Sequence, residues 1–322
     1  MNDTTHGPGD AQDGPANIRH PVGHAQHVDS SLALDIFIPF WGDPDYLYDA
    51  VRSVLAQNDD RWRLTVVDDC YPRDVSGFFE SLQDPRVRYL RNETNLGIIE
   101  NFRACQHLAE AEYTVFMGCD DLLGRDYVST ILSVAEARPG VEIIQPGVEV
   151  IDENGFVHLP LSDRVKRVMR PHGTGLRTMR GQALATSLMH GDWLYWPSLA
   201  FRTEALQAVD FLDEYEIILD VGLLVDLIIR GARLVLTDEV CFRYRRHAQS
   251  LSSVSLVSGS RLADERRFFH MEAERFDEMG WSRAERAARA HITSRLHAAT
   301  LLPAALLHKR SEVPGLLRHI AC

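Results

Sequence analysis

The fold of this chain is decided by the stretch YTVFMGCDD, at residues 113–121. Its first five residues are apolar enough to predict a buried strand, and two adjacent carboxylates, Asp120 and Asp121, follow them. Carboxylates at the C-terminal end of a parallel strand face the crevice in which open α/β sheets bind ligands. Two such groups repel each other unless they share a cation or a proton, and Mg²⁺ or Mn²⁺ suits oxygen ligands and bridges to phosphates. The stretch therefore predicts a metal–diphosphate site, with capping of the helix that starts near Arg125 as the alternative.

Strands and helices are predicted to alternate on either side of this stretch. The predicted elements, in chain order and beginning with a strand, are residues 34–39, 45–57, 63–67, 75–82, 87–90, 96–109 and 113–117. This alternation indicates βαβ units and an α/β fold with a mostly parallel sheet flanked by helices. Asp68 and Asp69 end the second strand, as Asp120 and Asp121 end the fourth. Right-handed crossovers would bring all four carboxylates to one edge of the sheet.

Composition narrows the classes of partner. The chain has 322 residues, a formal net charge of −12 and five cysteines that form no CxxC pair. A duplex-binding protein would present a basic face, so we expect no nucleic-acid partner. An odd number of widely spaced cysteines disfavours a disulfide framework, and a reducing cytoplasm is the simplest location. We expect no transmembrane segment, because no run approaches the roughly 18 apolar residues that a span requires.

The chain is predicted to have three parts. Residues 1–31 are rich in Gly, Pro, Asp and His and are expected to be a disordered tail. Residues 32–258 contain the α/β domain, and residues 259–322 are expected to form a helical extension. That extension could pack on the core or form a homodimer contact, and its mixed charges make membrane binding the least favoured role. Within the domain, residues 163–178 are basic with little periodicity, which predicts a mobile loop, either solvated or closing over a phosphate.

Several motifs together resemble the inverting nucleotide-sugar glycosyltransferases of family 2, which have a GT-A fold. The resemblance covers about residues 34–252, roughly two thirds of the chain. The matching segments follow the order of the family and are residues 36–47, 53–57, 66–69, 95–97 with Asn101, 112–121, 197–202, Asp220, and 244–247 with Ser250 and Ser252.

The resemblance implies a role for each matching residue. Asp120 would bind Mn²⁺ or Mg²⁺, and His247 in the closing segment can reach the same ion. The nucleotide contacts implied by the family positions are Pro39, Phe40, Asp68, Asp69, Asn95, Asn101 and Asp120. Asp68 could accept a hydrogen bond from the N3–H of uracil, so the expected donor is a uridine or thymidine diphosphate sugar. The acceptor is left open among a glycan, a lipid-linked glycan and a small molecule.

Inversion at the sugar requires a carboxylate that takes the proton of the acceptor hydroxyl, and Asp220 is the candidate. Its apolar neighbours would raise its pKa towards neutrality, which suits a general base. Asp220 could instead be a buried Asp that caps or pairs.

Two departures from the family pattern keep other functions open. Gly118 stands where the metal motif usually begins with Asp, and Leu219 stands where the family has the first acid of its catalytic pair. A non-catalytic module that binds a nucleotide or glycan therefore stays an alternative. A sugar-phosphate nucleotidyltransferase is a second alternative, although the turn at residues 39–43 lacks the Gly-rich, basic loop of that class.

Overall fold

The computed structural model alternates strands with helices over the first half of the chain, as the apolar periodicity predicts. It describes residues 18–22, 33–213, 218–247, 259–308 and 313–321. The strands are β1 Ile18–Val22, β2 Leu34–Phe40, β3 Trp62–Asp68, β4 Val87–Asn92, β5 Tyr113–Phe116, β6 Leu122–Leu123, β7 Ile143–Ile151, β8 Arg177–Arg180, β9 Ala200–Arg202 and β10 Arg233–Arg245. The helices are α1 Pro44–Leu55, α2 Ser76–Leu82, α3 Ile98–Leu108, α4 Tyr127–Ala137, α5 Leu161–Met169, α6 Gly181–His190, α7 Thr203–Gln207, α8 Leu219–Ile229, α9 Gly259–Glu278, α10 Ser282–Ala290, α11 Ile292–His308 and α12 Val313–Ala321, with a short 3-10 helix at Trp196–Ser198.

Over the described ranges, one ten-stranded sheet organises these elements. Nine strands follow the order β1-β4-β3-β2-β5-β9-β7-β10-β6, and β8 pairs with β10. The pairs β4–β3, β3–β2, β2–β5 and β7–β10 are parallel, whereas β9 runs antiparallel between β5 and β7. The parallel block β4-β3-β2-β5 therefore presents its strand ends side by side at one edge of the sheet.

The first crossover shows why the sequence folds this way locally. Asp43 caps α1, because its carboxylate accepts a hydrogen bond of 2.9 Å from the backbone N–H of Asp45, and Pro44 occupies the first turn. Leu47, Val51 and Val54 recur at helical spacing and are fully buried against the sheet. Each such side chain stabilises the fold by about 1.5–3 kcal/mol relative to an exposed position. The crossover therefore fixes the turn that leaves β2, which is part of the candidate site.

Both faces of the sheet are covered, so its central strands are almost continuously apolar. Successive residues alternate between the faces: Phe37 packs with α3, α6 and α8, while Ile36 and Ile38 pack with α1 and α4. Helices α9 and α10 pack into the core on the Phe37 side of the sheet, through Phe268, Phe276 and a set of buried alanines. Packing on the core, the first of the roles expected for residues 259–322, is therefore what α9 and α10 show.

The last two helices form a small separate core with the start of α9. Its buried members are Leu262, Ala298, Ala305 and Leu316. In the part of the chain that the structure describes, none of the helices is both long and apolar enough to span a bilayer.

Two expectations differ from the structure. Within residues 1–31, the segment Ile18–Val22 forms a strand that pairs antiparallel with β4, while the remainder of that tail lies outside the described residues. The basic segment 163–178, expected to be a loop, instead belongs largely to α5 and β8. The reason is tertiary, because Asp163 on α5 is completely buried in an ion pair with Arg246. The helical spacing of Val165 and Val168 begins at Leu161, which lies before the segment expected to be a loop.

Candidate active site

The ends of β3 and β2 form one side of the site. Phe40 and Asp68 are register partners on adjacent parallel strands, and both are fully buried. The Asp68 carboxylate accepts hydrogen bonds from the backbone N–H of Tyr71 (2.7 Å), from the Arg91 guanidinium (2.6 Å) and from the Tyr89 hydroxyl. Burial raises the pKa of Asp68, while these three donors act to lower it. A carboxylate accepts about four hydrogen bonds, so one acceptor position is left on Asp68.

Aromatic rings cover this side of the site. The ring of Tyr71 lies 5.1 Å from that of Phe40 and meets the ring of Trp41 edge-on at 5.4 Å. Trp41 is 49% exposed although it follows a buried strand, so its ring is available for stacking. Sequence reasoning missed Trp41 as a separate site residue, although it lies within the opening motif of the family.

Asp69 and Asn101 are engaged inside the protein. The Asp69 carboxylate accepts hydrogen bonds from the backbone N–H groups of Leu96 (2.8 Å) and Gly97 (2.9 Å) and from the Asn92 amide (2.9 Å). Asn101 donates to the carbonyl of Val67 at 3.1 Å and accepts from Asn92 at 3.2 Å. These buried groups hold the turn at residues 95–97 against β3.

Asn95 lies in that turn and is exposed. Its side-chain oxygen accepts a hydrogen bond of 3.1 Å from the backbone N–H of Gly97. Gly97 has a φ of 85°, a left-handed conformation that favours glycine. The Asn95 side chain is therefore at the surface of a turn whose shape is set by Asp69.

The second side of the site joins residues that are far apart in the sequence. Nε2 of His247 lies 2.8 Å from Oδ2 of Asp120, although 127 positions separate the two residues. Arg245 contacts both acidic residues. Its Nε donates to the backbone carbonyl of Asp120 at 2.7 Å, and its backbone N–H donates to the carboxylate of Asp121 at 2.9 Å. Tyr46 lies against both basic residues, with its ring 5.1 Å from that of His247 and 4.7 Å from the Arg245 guanidinium carbon. Residues 245–247 of the closing segment are therefore held against Asp120 and Asp121.

Gly118 creates space for these carboxylates. A Cβ atom at this position would lie 2.6 Å from Oδ2 of Asp121 and 2.9 Å from Oδ1 of Asp120. Oδ2 of Asp121 is buried and has no hydrogen-bond partner, which is costly for a charged oxygen. Burial and the neighbouring charge of Asp120 raise the pKa of Asp121 well above its usual range. The carboxylates of Asp120 and Asp121 therefore lie so close to Gly118 that a side chain at this position would clash with them.

The donor set fits a divalent cation that is also held by a substrate. The carboxylate of Asp120 and the imidazole of His247 are ligand types that Mn²⁺ accepts. Within the described residues, no group of three or more His, Cys, Asp or Glu side chains is placed to hold a metal ion. Mg²⁺ and Mn²⁺ commonly use one or two protein ligands and take further oxygens from phosphates and water. The residues present therefore suit a metal–diphosphate site and do not form an all-protein cage.

The register relates the two sides of the site. Phe37 on β2 pairs with Phe116 on β5. Phe40, three residues further along β2, therefore lies beside the end of the stretch at 113–121 and pairs with Asp68 on its other side. Neighbouring strands are about 4.8 Å apart, which places the end of β3 roughly 10 Å from the end of β5. The two sides therefore form one site at one sheet edge.

Asp220 lies in the first turn of α8 and is partly buried. Its Oδ1 accepts a hydrogen bond of 2.8 Å from the backbone N–H of Val221. Burial and the charge of Asp192 raise its pKa to about 6, against a lowering effect of Lys166. Lys166 donates to Asp192 at 3.0 Å and to the carbonyl of Leu194 at 2.6 Å. Sequence reasoning missed Asp192 and Lys166, since neither lies in a motif.

Helix α5 links Asp220 to the side of the site formed by Asp120 and His247. Asp163 on its inner face accepts hydrogen bonds from Arg246 Nη2 (3.1 Å) and from the Tyr195 hydroxyl (3.0 Å). Lys166, on the same face, lies 5.1 Å from the centre of the Tyr195 ring. Arg246 directly precedes His247, so α5 contacts the surroundings of both His247 and Asp220. The remaining closing-segment residues of the family motif, Ser250 and Ser252, lie outside the described residues.

Comparison with known proteins agrees with this fold. The family model described as Glycosyl transferase family 2 matches residues 35–194. A putative colanic acid biosynthesis glycosyl transferase, WcaA, of Escherichia coli K12 is 30% identical over 90 residues, or 27% of this chain and 32% of that protein. A putative teichuronic acid biosynthesis glycosyltransferase, TuaG, of Bacillus subtilis 168 is 27% identical over 138 residues, or 40% of this chain and 54% of that protein. The chain thus matches about a third and about half of the length of these two relatives.

A solved structure extends the similarity over most of the chain. The crystal structure of S. aureus TarS 1-349 in complex with UDP-GlcNAc superposes with a TM-score of 0.69 at 14% identity, over 89% of this chain and 79% of that one. At this level of identity the similarity concerns the fold, which is the GT-A α/β architecture. The family match shows that residues 35–194 are a glycosyl transferase family 2 domain, and the structural similarity shows a GT-A fold over most of the chain.

Proposed function

We propose that this chain transfers a sugar, with inversion, from a nucleoside diphosphate sugar to an acceptor hydroxyl. The family of the domain supports the class of reaction, and relatives of similar sequence are named as glycosyltransferases. The observation that carries the proposal is the contact between Asp120 and His247, 127 positions apart, at the sheet edge where β3 and β5 end. Two metal-ligand groups from distant segments meet where a diphosphate would have to lie.

The nucleoside is assigned to the side of the site formed by β2 and β3. The remaining acceptor position of Asp68 would receive the N3–H of uracil or thymine, which favours a uridine or thymidine donor. Pro39 and Phe40 would border the nucleoside through backbone and ring, and Trp41 adds an exposed stacking surface. In this assignment Asp69 and Asn101 position the turn that presents Asn95 to the nucleotide.

The diphosphate is assigned to the side formed by Asp120 and His247. These two residues would hold Mn²⁺ or Mg²⁺, and the bound ion would stabilise negative charge on the departing diphosphate as a Lewis acid. Arg245 keeps Asp120 and Asp121 in place through bonds to the Asp120 carbonyl and the Asp121 carboxylate. Gly118 leaves the carboxylates free to face the ligand.

Asp220 is assigned as the general base. Its carboxylate accepts the proton of the acceptor hydroxyl while the acceptor oxygen attacks the anomeric carbon. The bond between that carbon and the β-phosphate oxygen breaks on the opposite face, which inverts the configuration and releases the nucleoside diphosphate. The raised pKa of about 6 places Asp220 close to the working range of a general base. Asp192 contributes to that pKa and is itself held by Lys166.

The alternatives are separable from this proposal. A nucleotidyltransferase would hold a triphosphate with a basic loop after β2, but the turn there ends in Asp43, which caps α1. A binding module without catalysis would bind nucleotide equally well with or without an intact Asp220. The variant Asp220→Asn, which removes the proposed base at the start of α8, therefore separates an enzyme from a binding module.

The experiment is a transfer assay with a panel of uridine, thymidine and guanosine diphosphate sugars, with Mn²⁺ and with chelator. We expect release of nucleoside diphosphate from one pyrimidine donor, dependent on the ion, and a product of inverted anomeric configuration by NMR. Asp210→Asn serves as the matched control for Asp220→Asn, because the Asp210 side chain is 71% exposed. Donor binding without turnover across every sugar and acceptor class tested would favour the binding module.

A further inference from the structure

The outward face of α5 is apolar although the helix lies on the protein surface. Leu161, Val165 and Val168 recur at helical spacing along one face and are 73%, 43% and 74% exposed. The turn that precedes the helix adds Phe156 and Val157, which are 72% and 67% exposed. We call these five residues the α5 stripe. The two parts lie close together, because residues 157 and 161 are at most about 14 Å apart along the chain.

The opposite face of α5 carries two of its four charged residues. Asp163 is completely buried against Arg246 and Tyr195, and Lys166 reaches inward to Asp192. A surface helix of a globular protein normally turns its apolar face to the core and its charged face to water. The arrangement of α5 is the reverse, which indicates that an apolar phase covers the α5 stripe in use.

The exposed charged residues of α5 are basic on an acidic protein, while Asp152 and Glu153 lie in the turn before Phe156. Residues 156–176 contain four Arg or Lys and a single acid, Asp163, whereas the whole chain has a formal net charge of −12. That acid is buried, and Lys166 and Arg170 donate inward to Asp192 and to the carbonyl of Thr237, so two of the four basic groups are left at the surface. Arg164 and Arg167 lie on exposed positions of the helix beside the stripe. An apolar stripe flanked by arginines is the pattern of helices that lie at the boundary between anionic headgroups and acyl chains.

From this juxtaposition we infer that α5 and the turn before it are a docking surface for an anionic lipid membrane. The stripe consists of Leu, Val and Phe, which partition into acyl chains, and the flanking arginines match phosphate headgroups. A protein partner is the weaker match. Nine residues of helix span only about 14 Å, which is small beside the roughly 800 Å² that each partner contributes to a stable protein interface.

Docking through α5 would place the active site at the level of the headgroups. The inner face of the helix contacts Arg246, which precedes His247, and Asp192, which acts on Asp220. An acceptor carried on a lipid would then approach the base from the membrane side. This last step rests on the proposed function, whereas binding of the membrane does not.

The test is co-sedimentation of the full chain with lipid vesicles, without donor or metal. We expect binding to phosphatidylcholine vesicles that contain about one third phosphatidylglycerol, weakened by salt, and at least about tenfold weaker binding to phosphatidylcholine alone. The double variant Leu161→Ser/Val168→Ser should lower the partition coefficient by about tenfold or more, with an unchanged circular dichroism spectrum. Arg164→Gln/Arg167→Gln should abolish the preference for anionic vesicles.

A matched control is available on α11. Leu296 and Leu307 are 61% and 77% exposed there, and Leu296→Ser/Leu307→Ser should leave vesicle binding as in the original protein. Equal binding by the Leu161→Ser/Val168→Ser protein would overturn the inference, as would an equal loss in the α11 control. Absence of vesicle binding would also overturn it, and a change of oligomeric state in the α5 variant alone would then assign the stripe to a protein contact.

The two proposals fail in different ways. Vesicle binding without sugar transfer in any donor and acceptor combination would leave the docking surface standing and remove the proposed function. Transfer to water-soluble acceptors, with no affinity for anionic vesicles, would do the reverse.

Discussion

Replacing Gly118 by alanine tests whether the lack of a side chain at this position shapes the side of the site formed by Asp120 and His247. The new Cβ would lie 2.6 Å from Oδ2 of Asp121 and 2.9 Å from Oδ1 of Asp120, where ordinary contacts exceed 3.4 Å. Asp120 is partly exposed and can move aside. Asp121 is only 1% exposed, and its carboxylate is fixed by the backbone N–H of Arg245. The substitution must therefore move a buried carboxylate or the strand end that carries it.

The expected cost follows from overpacking in a site that cannot relax freely. An added methyl group in such surroundings destabilises a protein by about 1–3 kcal/mol, which corresponds to a fall in Tm of roughly 2–8 °C. We also expect at least about a tenfold loss of Mn²⁺-dependent affinity for UDP, because Asp120 is displaced from His247. Thermal unfolding and isothermal titration measure these two quantities.

Gly77→Ala is the matched control for this substitution. Gly77 lies in α2, and nothing lies within 4 Å of the position that its Cβ would occupy. Alanine there should leave nucleotide affinity unchanged and raise stability by about 0.5–1 kcal/mol, as in other helices. Equal Tm values and equal UDP affinities for Gly118→Ala and the original protein would refute the packing argument.

Three further predictions concern the remaining parts of the site. Asp220→Asn should abolish transfer while nucleotide affinity stays within about twofold, and full turnover by that variant would remove the base assignment. Because burial and Asp192 raise the pKa of Asp220 to about 6, transfer should fall about tenfold per pH unit below pH 6. Asp192→Asn should move this limb of the pH–rate profile to lower pH, and an unmoved or upward-shifted limb would contradict that cause. Asp163→Ala should destabilise the fold by about 3–5 kcal/mol in denaturant unfolding, since it removes a completely buried carboxylate that pairs with Arg246, whereas a loss under 1 kcal/mol would mean that the pair is solvated.

The fold could be predicted because each of its early elements is encoded locally. The apolar run of β5 and the helical spacing of Leu47, Val51 and Val54 in α1 give periodicities that tertiary contacts reinforce. The gathering of Asp120 and Asp68 at one edge followed from strand order, because parallel strands all end on the same side. The family resemblance, and not periodicity, added His247 to that group.

The misjudged segments are those whose structure depends on distant partners. The apolar spacing of α5 begins at Leu161, before the segment expected to be a loop. Its charged residues Asp163 and Lys166 find their partners, Arg246 and Asp192, far along the chain. Asp192 lies in the loop after α6, where Lys166 of α5 donates to it and its charge acts on Asp220, and no local spacing indicates this arrangement. Strand β1 pairs with the exposed edge of β4, and an edge strand needs only backbone hydrogen bonds from its partner.

The most direct test of the account is the Mn²⁺ dependence of nucleotide binding, because Asp120 and His247 are claimed to hold the ion that binds the diphosphate. Isothermal titration of UDP and dTDP should show at least about tenfold tighter binding with Mn²⁺ than with chelator. His247→Ala should remove most of that difference, while His190→Ala, an exposed histidine at the end of α6, should keep it. Equal affinity with Mn²⁺ and with chelator, or a full Mn²⁺ effect in His247→Ala, would contradict the claim.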